Sequence, residues 1–185
     1  MYKKLHTMRI VSGKFKGMRF EPPRDITARP TTDFAKESLF NTLGNIIDFE
    51  GINVLDLFAG TGSISYEFVS RGAKDVTAIE MSMTQIEFVK KMCSKLKINN
   101  LHVYRSEVQR FLDKCKEQYD IIFADPPYQM GNIEVIIESV LNGKLLKDNG
   151  IFILEHNKEH SFIQHNNLFD SRRYGNVHFS FFRNK

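Results

Sequence analysis

The chain reads as an α/β protein, a mostly parallel sheet covered by helices on both faces, and three observations carry that prediction. Short apolar runs alternate with helix-periodic segments from about residue 32 onwards, the pattern of parallel strands joined by crossover helices. Val54-Leu55-Asp56-Leu57-Phe58-Ala59-Gly60-Thr61-Gly62-Ser63 reads as a buried strand (52–57) turning through two glycines into a helix that begins near Ser63. Such a unit brings a ligand against backbone N–H groups. The last two apolar segments, 168–174 and 177–182, leave no room for a helix between them, so Gly175-Asn176 is predicted to close an antiparallel hairpin at the sheet edge.

Taken in order, Met8 to Ser12 and Met18 to Phe20 are short strand-like pieces. Between them, Gly13-Lys14-Phe15-Lys16-Gly17 is a hairpin tip with two lysines and an exposed-looking phenylalanine. Pro22, Pro23 and Pro30 bracket an irregular stretch. Thr32 or Asp33 caps a helix to about Ile47, buried through Ala35, Leu39, Leu43 and Ile46. The helix after the central loop runs from Ile64 to Arg71 and stops at Gly72. Val76 to Glu80 is the next strand, and Ser82-Met83-Thr84-Gln85 reads as a capping box for a helix burying Ile86, Val89, Cys93 and Leu96, with Lys90, Lys91, Lys95 and Lys97 on its solvated face. Leu101 to Tyr104, a helix from about Glu107 to Cys115, the strand Tyr119 to Ala124, a helix near Ile133 to Leu141 and the strand Gly150 to Glu155 lead to the final hairpin.

At 185 residues, 42% apolar and 26% charged, the chain has the size and composition of one soluble domain. No apolar run approaches a membrane span, and no hydrophobic region follows the N-terminal lysines, so a cytoplasmic protein without a signal peptide is expected. Cys93 and Cys115 form no CxxC pair and read as reduced thiols. The net charge of +4 is unevenly spread: residues 1–36 hold nine Lys/Arg against three acids, or +6, leaving −2 for the remainder. A basic arm (residues 1–31) on a slightly acidic body (residues 32–185) points to a polyanionic partner, or to a merely solubilising tail. Phe15 between Lys14 and Lys16 suits stacking on a base beside phosphate contacts, with Arg9, Arg19 and Arg29 on the same arm, or equally folds back onto its own strands.

The chemistry is expected beyond the carboxyl ends of the strands, where open α/β sheets bind ligands. Four carboxylates follow four successive strands: Asp56, Glu80, Glu107 and Asp125. A dinucleotide fingerprint needs Gly-x-Gly-x-x-Gly, whereas this loop offers Phe58 and Gly60 before Gly62 and Ser65 three places after it. Asp56 would also repel a pyrophosphate and attract a cation. S-adenosylmethionine, with an adenosine half, no phosphate and a cationic tail, suits that arrangement. Asp56 then faces the amino-acid end, Glu80 takes the ribose hydroxyls, and Glu107 with the Val108 N–H holds the adenine edge.

Asp125-Pro126-Pro127-Tyr128 is the sharpest signal. An exocyclic amine on a nucleobase is a poor nucleophile because its lone pair is delocalised into the ring. Two acceptors on its N–H groups favour the pyramidal nitrogen that can attack a methyl group. The Asp125 carboxylate and the Pro126 carbonyl supply them, Pro126 and Pro127 remove competing donors, and Tyr128 offers a face for an unstacked base. His156, His160 and His165 do not form His-Glu-x-x-His, so no metal is expected, and Glu155 with His156 is read as lining the substrate entrance.

With Asp56-Leu57-Phe58-Ala59-Gly60-Thr61-Gly62, Glu80 and Asp125-Pro126-Pro127-Tyr128 together, the chain resembles the class I S-adenosylmethionine-dependent methyltransferases that modify amino groups. Met8 to Gly17, Arg29-Pro30-Thr31-Thr32-Asp33 and Lys36-Glu37-Ser38-Leu39-Phe40-Asn41 narrow it: the chain is similar to the bacterial small-subunit rRNA guanine-N2 methyltransferases of the RsmD type, over nearly all of 8–183. The resemblance implies a Rossmann-like, doubly wound seven-stranded sheet with its last strand antiparallel, behind the small N-terminal hairpin extension. It implies methylation of a guanine in 16S rRNA already assembled with ribosomal proteins; apart from the resemblance, a monomer is expected. It places Phe58, Ala59, Met81, Thr31 and Asn41 with the cofactor residues named above, the 29–41 segment closing over the methionine end. Glu107 stands where Asp is commoner in that family. Adenine-N6 methylation of DNA or another RNA, and a non-catalytic RNA-binding assembly factor, are the competing readings. A nicotinamide-dependent oxidoreductase is disfavoured by Asp56 and Phe58.

Overall fold

A computed structural model of the chain describes residues 7–23, 32–127 and 130–184. The N-terminal pieces pair as β1 (Met8–Arg9) and β2 (Arg19–Phe20), antiparallel. The body follows as α1 (Asp33–Gly44), β3 (Asn53–Asp56), α2 (Ser63–Ser70), β4 (Asp75–Glu80), α3 (Met83–Leu96), β5 (Leu101–Arg105), α4 (Val108–Leu112), β6 (Tyr119–Ala124), α5 (Ile133–Asn142), β7 (Leu146–His156), β8 (Leu168–Tyr174) and β9 (Val177–Phe182). The seven-stranded sheet has the order β5-β4-β3-β6-β7-β9-β8. Its first five strands are parallel, and β9 is inserted antiparallel between β7 and the edge strand β8. The predicted hairpin is present, with Tyr174 opposite Val177 and Gly175 in the left-handed region (φ 65°) that its turn requires.

The strands are apolar on both faces because both are covered. Ile121 and Phe123 of β6 join a core with Leu39 and Leu43 of α1, Phe68 of α2 and Val89 of α3. Ile122 and Ala124, the alternate residues, join a second core with Val108 of α4 and Ile133, Ile136, Ile137 and Val140 of α5. Period-two alternation thus feeds two cores, each burying side chains worth about 1.5–3 kcal/mol apiece. Among the described residues no helix is long and apolar enough to cross a membrane.

The N-terminal hairpin shares the first core through Met8, Ile10 and Phe20. Its tip is docked rather than free: the Lys14 and Phe15 N–H groups donate to the Ser70 carbonyl and hydroxyl oxygens at 2.6 and 2.9 Å. A Cβ on Gly13 would lie 1.8 Å from that carbonyl, so only glycine fits there. Beneath the hairpin, Lys36 and Glu67 are both fully buried and paired at 3.4 Å, with Arg71 3.4 Å from the same carboxylate. The Val11 N–H donates to Glu67 and the Lys36 ammonium to the Arg9 carbonyl, which ties the hairpin to α1 and α2.

Several boundaries differ from expectation. Thr32 caps α1 as predicted, its Oγ1 accepting from the Ala35 N–H at 3.2 Å, but the helix ends at Gly44. The capping box of α3 does not form: Ser82 makes no side-chain cap, and the Glu80 carboxylate two residues earlier accepts the Met81 and Ser82 N–H groups, both at 2.8 Å. Helix α4 is shorter than predicted, continuing after Leu112 only as turns. Strand β7 begins earlier, because Leu146 pairs with Tyr119 before a bulge in which Asn149 turns left-handed (φ 64°).

Candidate active site

From β3 the chain moves outward to β4 and β5, then returns to place β6 on the other side of β3. The crevice between the carboxyl ends of β3 and β6 is therefore the switch point of the sheet. Asp56 is the last residue of β3, and Asp125 follows the last residue of β6. Glu80 ends β4, while Glu107 lies beyond β5 as the N-cap residue of α4. All four carboxylates stand at strand ends on one side of the sheet, as the sequence pattern predicts.

The glycine loop is held at both ends. The Leu57 N–H donates to the Phe123 carbonyl at 2.9 Å and the Ala59 N–H to the Ile79 carbonyl at 3.0 Å, which carries the ladder past the end of β3. Gly60 and Gly62 have φ of 54° and 82°, and a Cβ on Gly62 would come within 3.0 Å of the Tyr66 ring and 3.2 Å of Val89. That glycine lets α2 start against α3. Glu80 clamps the loop, accepting from the Gly60 N–H at 2.9 Å besides the Met81 and Ser82 N–H groups. A carboxylate has about four lone-pair sites, so room remains for a hydroxyl donor.

Asp56 is 1% exposed, and its Oδ2 accepts from the Ser65 hydroxyl at 2.6 Å. Its Oδ1 is buried without a hydrogen-bond partner among the described residues. Burial pushes the Asp56 carboxyl up to about 7, opposed by the Ser65 hydroxyl and by the backbone N–H groups of Phe58 and Ser65, and reinforced by the charge of Glu80. Asp125 is also pushed up to about 7, by burial and then by the charge of Asp56. Two like-charged carboxyls at the ends of adjacent strands, both pushed up, favour a cation beside them.

The other predicted residues fall as follows. Ala59 and Val108 are buried, Phe58 is half-buried against the second core, and Met81 and Glu107 are exposed. Pro126 is buried and Pro127 exposed, with the Pro127 carbonyl accepting from the Met130 N–H at 2.8 Å. Asn41 is exposed near the end of α1. Thr31, Arg29 and Tyr128 lie outside the described residues. On the hairpin, Lys14, Lys16 and Arg19 are exposed, and Arg9 pairs with Asp33 at 3.3 Å. Of the two arrangements open to Phe15, the structure shows the inward one: it is half-buried and packs on the first core, with its N–H fixed to Ser70, and does not stand free for a base.

Glu155 and His156 are 3% exposed and do not form an open wall of the crevice. His156 donates from Nδ1 to the Asn157 carbonyl at 2.8 Å, which leaves Nε2 to accept from the Ser180 hydroxyl at 2.9 Å. It anchors the end of β7 to β9. The residue that sequence reasoning missed is Ser65. Its signal is a small hydroxyl side chain set between the bulky Ile64 and Tyr66 on the first turn after the glycine loop.

Known proteins resemble this chain in sequence and in fold. A family profile described as "Conserved hypothetical protein 95" matches residues 8–183. The chain is 36% identical over 152 residues to "Ribosomal RNA small subunit methyltransferase D" of Buchnera aphidicola subsp. Baizongia pistaciae, covering 82% of this chain and 77% of that one. It is 36% identical over 143 residues to the protein of that name in Escherichia coli K12, covering 77% and 68%. Among solved structures, a putative methyltransferase from Escherichia coli (yhhF) superposes with a TM-score of 0.85 at 29% identity, over 97% of this chain and 99% of that one. The Thermus thermophilus 16S rRNA N2 methyltransferase RsmC, solved with AdoMet and guanosine, shares the fold at a TM-score of 0.75 and 20% identity, over 98% and 50%.

Proposed function

From a chain that belongs to the ribosomal RNA small subunit methyltransferase D family, we infer an enzyme that methylates the exocyclic N2 amine of a guanine in 16S rRNA. The methyl donor is S-adenosylmethionine, and the substrate is an assembled small-subunit particle bound by a monomer. The observation that carries this reading is the pair Asp56 and Asp125 at the switch point, one with a buried unpartnered oxygen.

The residues fit the donor. Its ammonium complements Asp56 Oδ1, Glu80 at the end of β4 is placed for a ribose hydroxyl, and Glu107 with Val108 borders the adenine position. When bound, the donor supplies a methyl group made electrophilic by the sulfonium. The chain's own contribution lies at Asp125 and Pro126. The Asp125 carboxylate and the Pro126 carbonyl accept from the two amine N–H groups, and Pro126 and Pro127 offer no N–H that could compete for the amine lone pair. A carboxyl poised near neutrality is matched to receive the proton that the amine sheds. Tyr128 is assigned the stacking face for the extruded base. The exposed Lys14, Lys16 and Arg19, on a hairpin anchored to α2, are assigned to the RNA backbone, with Phe15 bracing the tip from below.

The test is transfer of labelled methyl from S-adenosylmethionine to small subunits lacking the modification, with protein-free 16S rRNA and genomic DNA in parallel. Label in the subunit, mapped to guanine N2, is expected. Label confined to DNA would assign the enzyme to adenine N6, and cofactor binding without label anywhere would make it a non-catalytic assembly factor.

A further inference from the structure

Ser65 is wholly buried at the third position of α2, and its hydroxyl points back to the end of β3, where it donates to Asp56. Its neighbours Ile64, Tyr66 and Phe68 are buried and apolar. The charged groups that act on Asp56 are Glu80 from β4 and Asp125 from the loop after β6, both negative. The backbone N–H groups of Phe58 and Ser65 also act on this carboxylate and favour its charged form, yet Oδ1 accepts no well-formed hydrogen bond among the described residues, while Oδ2 is tied to the Ser65 hydroxyl.

We propose that Ser65 is a positioning residue: it fixes Asp56 by Oδ2 and leaves Oδ1 as the acceptor for the ammonium of the cofactor's amino-acid end. The inference rests on the S-adenosylmethionine reading and deepens it by naming what prepares that carboxylate. A carboxylate tied by one oxygen keeps its orientation. A hydrogen bond to the charged form also favours ionisation against burial and two like charges. The neutrality of the donor matters equally. A lysine or arginine in its place would pair with Asp56 permanently and repel the incoming cation, whereas a hydroxyl stabilises the charge without cancelling it.

The experiment compares the wild type with Ser65→Ala and Ser65→Thr in two measurements. The first is titration of the Asp56 carboxyl carbon by NMR in the ligand-free protein. The second is the affinity for S-adenosylmethionine by calorimetry from pH 6 to 9. In Ser65→Ala the Asp56 midpoint should rise by about one unit, and affinity relative to the wild type should fall about fivefold at pH 7, the gap closing towards pH 9. Ser65→Thr, which keeps the hydroxyl, should restore both. An unchanged midpoint, or a loss of affinity equal at every pH, would reduce Ser65 to a packing residue and overturn the proposal. Should Ser65→Ala not fold, Ser65→Cys, nearly isosteric but a weak donor, carries the same test. A wild type that binds no S-adenosylmethionine at any pH would overturn the cofactor reading, while the ligand-free titration would still decide the role of Ser65.

Discussion

Glu67 and Asp56 are withdrawn from solvent to the same degree, 0% and 1% exposed, and their surroundings differ in sign. Glu67 faces Lys36 and Arg71, both at 3.4 Å, and accepts the Val11 N–H. Burial pushes the Lys36 ammonium down, and the attraction of Glu67 and Asp33 opposes that. Asp56 faces only neutral donors, the Ser65 hydroxyl and the Phe58 and Ser65 backbone N–H groups, together with the like charges of Glu80 and Asp125, and its Oδ1 accepts no well-formed hydrogen bond among the described residues. The first carboxylate is neutralised from within the chain and works as a fastener for the N-terminal hairpin. The second is left uncompensated, the state expected of a group whose counter-charge arrives with a ligand. Buried charge therefore separates into a structural and a functional kind, and the sign of the nearest neighbours tells them apart.

The sharpest way to break this contrast is at the functional pole. Asp125→Ala should abolish methyl transfer while leaving S-adenosylmethionine affinity within a few-fold, read by single-turnover assay and calorimetry. Lost cofactor binding would move Asp125 from the reacting amine to the cofactor.

At the structural pole, Glu67→Gln strands Lys36 in the core and should destabilise the fold by about 3–5 kcal/mol, measured by urea unfolding. Replacing both, as Lys36→Met with Glu67→Leu, should recover most of that loss. A double variant as unstable as the single one would show that the pair is needed for more than mutual neutralisation.

The opposite sign is expected at Asp56. The folded state raises Asp56 and Asp125 from 3.8 to about 7, so it binds more protons than the unfolded chain between roughly pH 4 and 7. Stability should be greatest at the acid end of that window and fall as pH rises through it. Asp56→Asn removes the burden of one ionised group and should stabilise the ligand-free protein at pH 8 by roughly 2–4 kcal/mol, while S-adenosylmethionine binding is lost. A destabilised Asp56→Asn would mean that the carboxylate is a fastener like Glu67.

The smallest effect is expected at the exposed end of the hairpin. Lys14→Gln with Lys16→Gln should leave the melting temperature unchanged and weaken subunit binding, lowering the salt slope by up to about 2. An unchanged slope would restrict the hairpin to a structural role.

The sequence by itself determined the order of elements, the edge hairpin at Gly175-Asn176 and the four strand-end carboxylates, because period-two runs, glycine turns and strand ends are local properties of the chain. It did not reveal that Phe15 lies half-buried on α2, since a lysine-flanked aromatic reads the same whether it meets a base or a core. Nor did it reveal which buried charges meet. Lys36 and Glu67 are 31 residues apart and Asp56 and Ser65 nine, and each pair is joined by how α1, α2 and β3 pack. The split between a neutralised and a waiting carboxylate was decided by the tertiary structure alone. Burial raises the energy of a charge, and only the three-dimensional neighbourhood says whether the chain itself lowers it again.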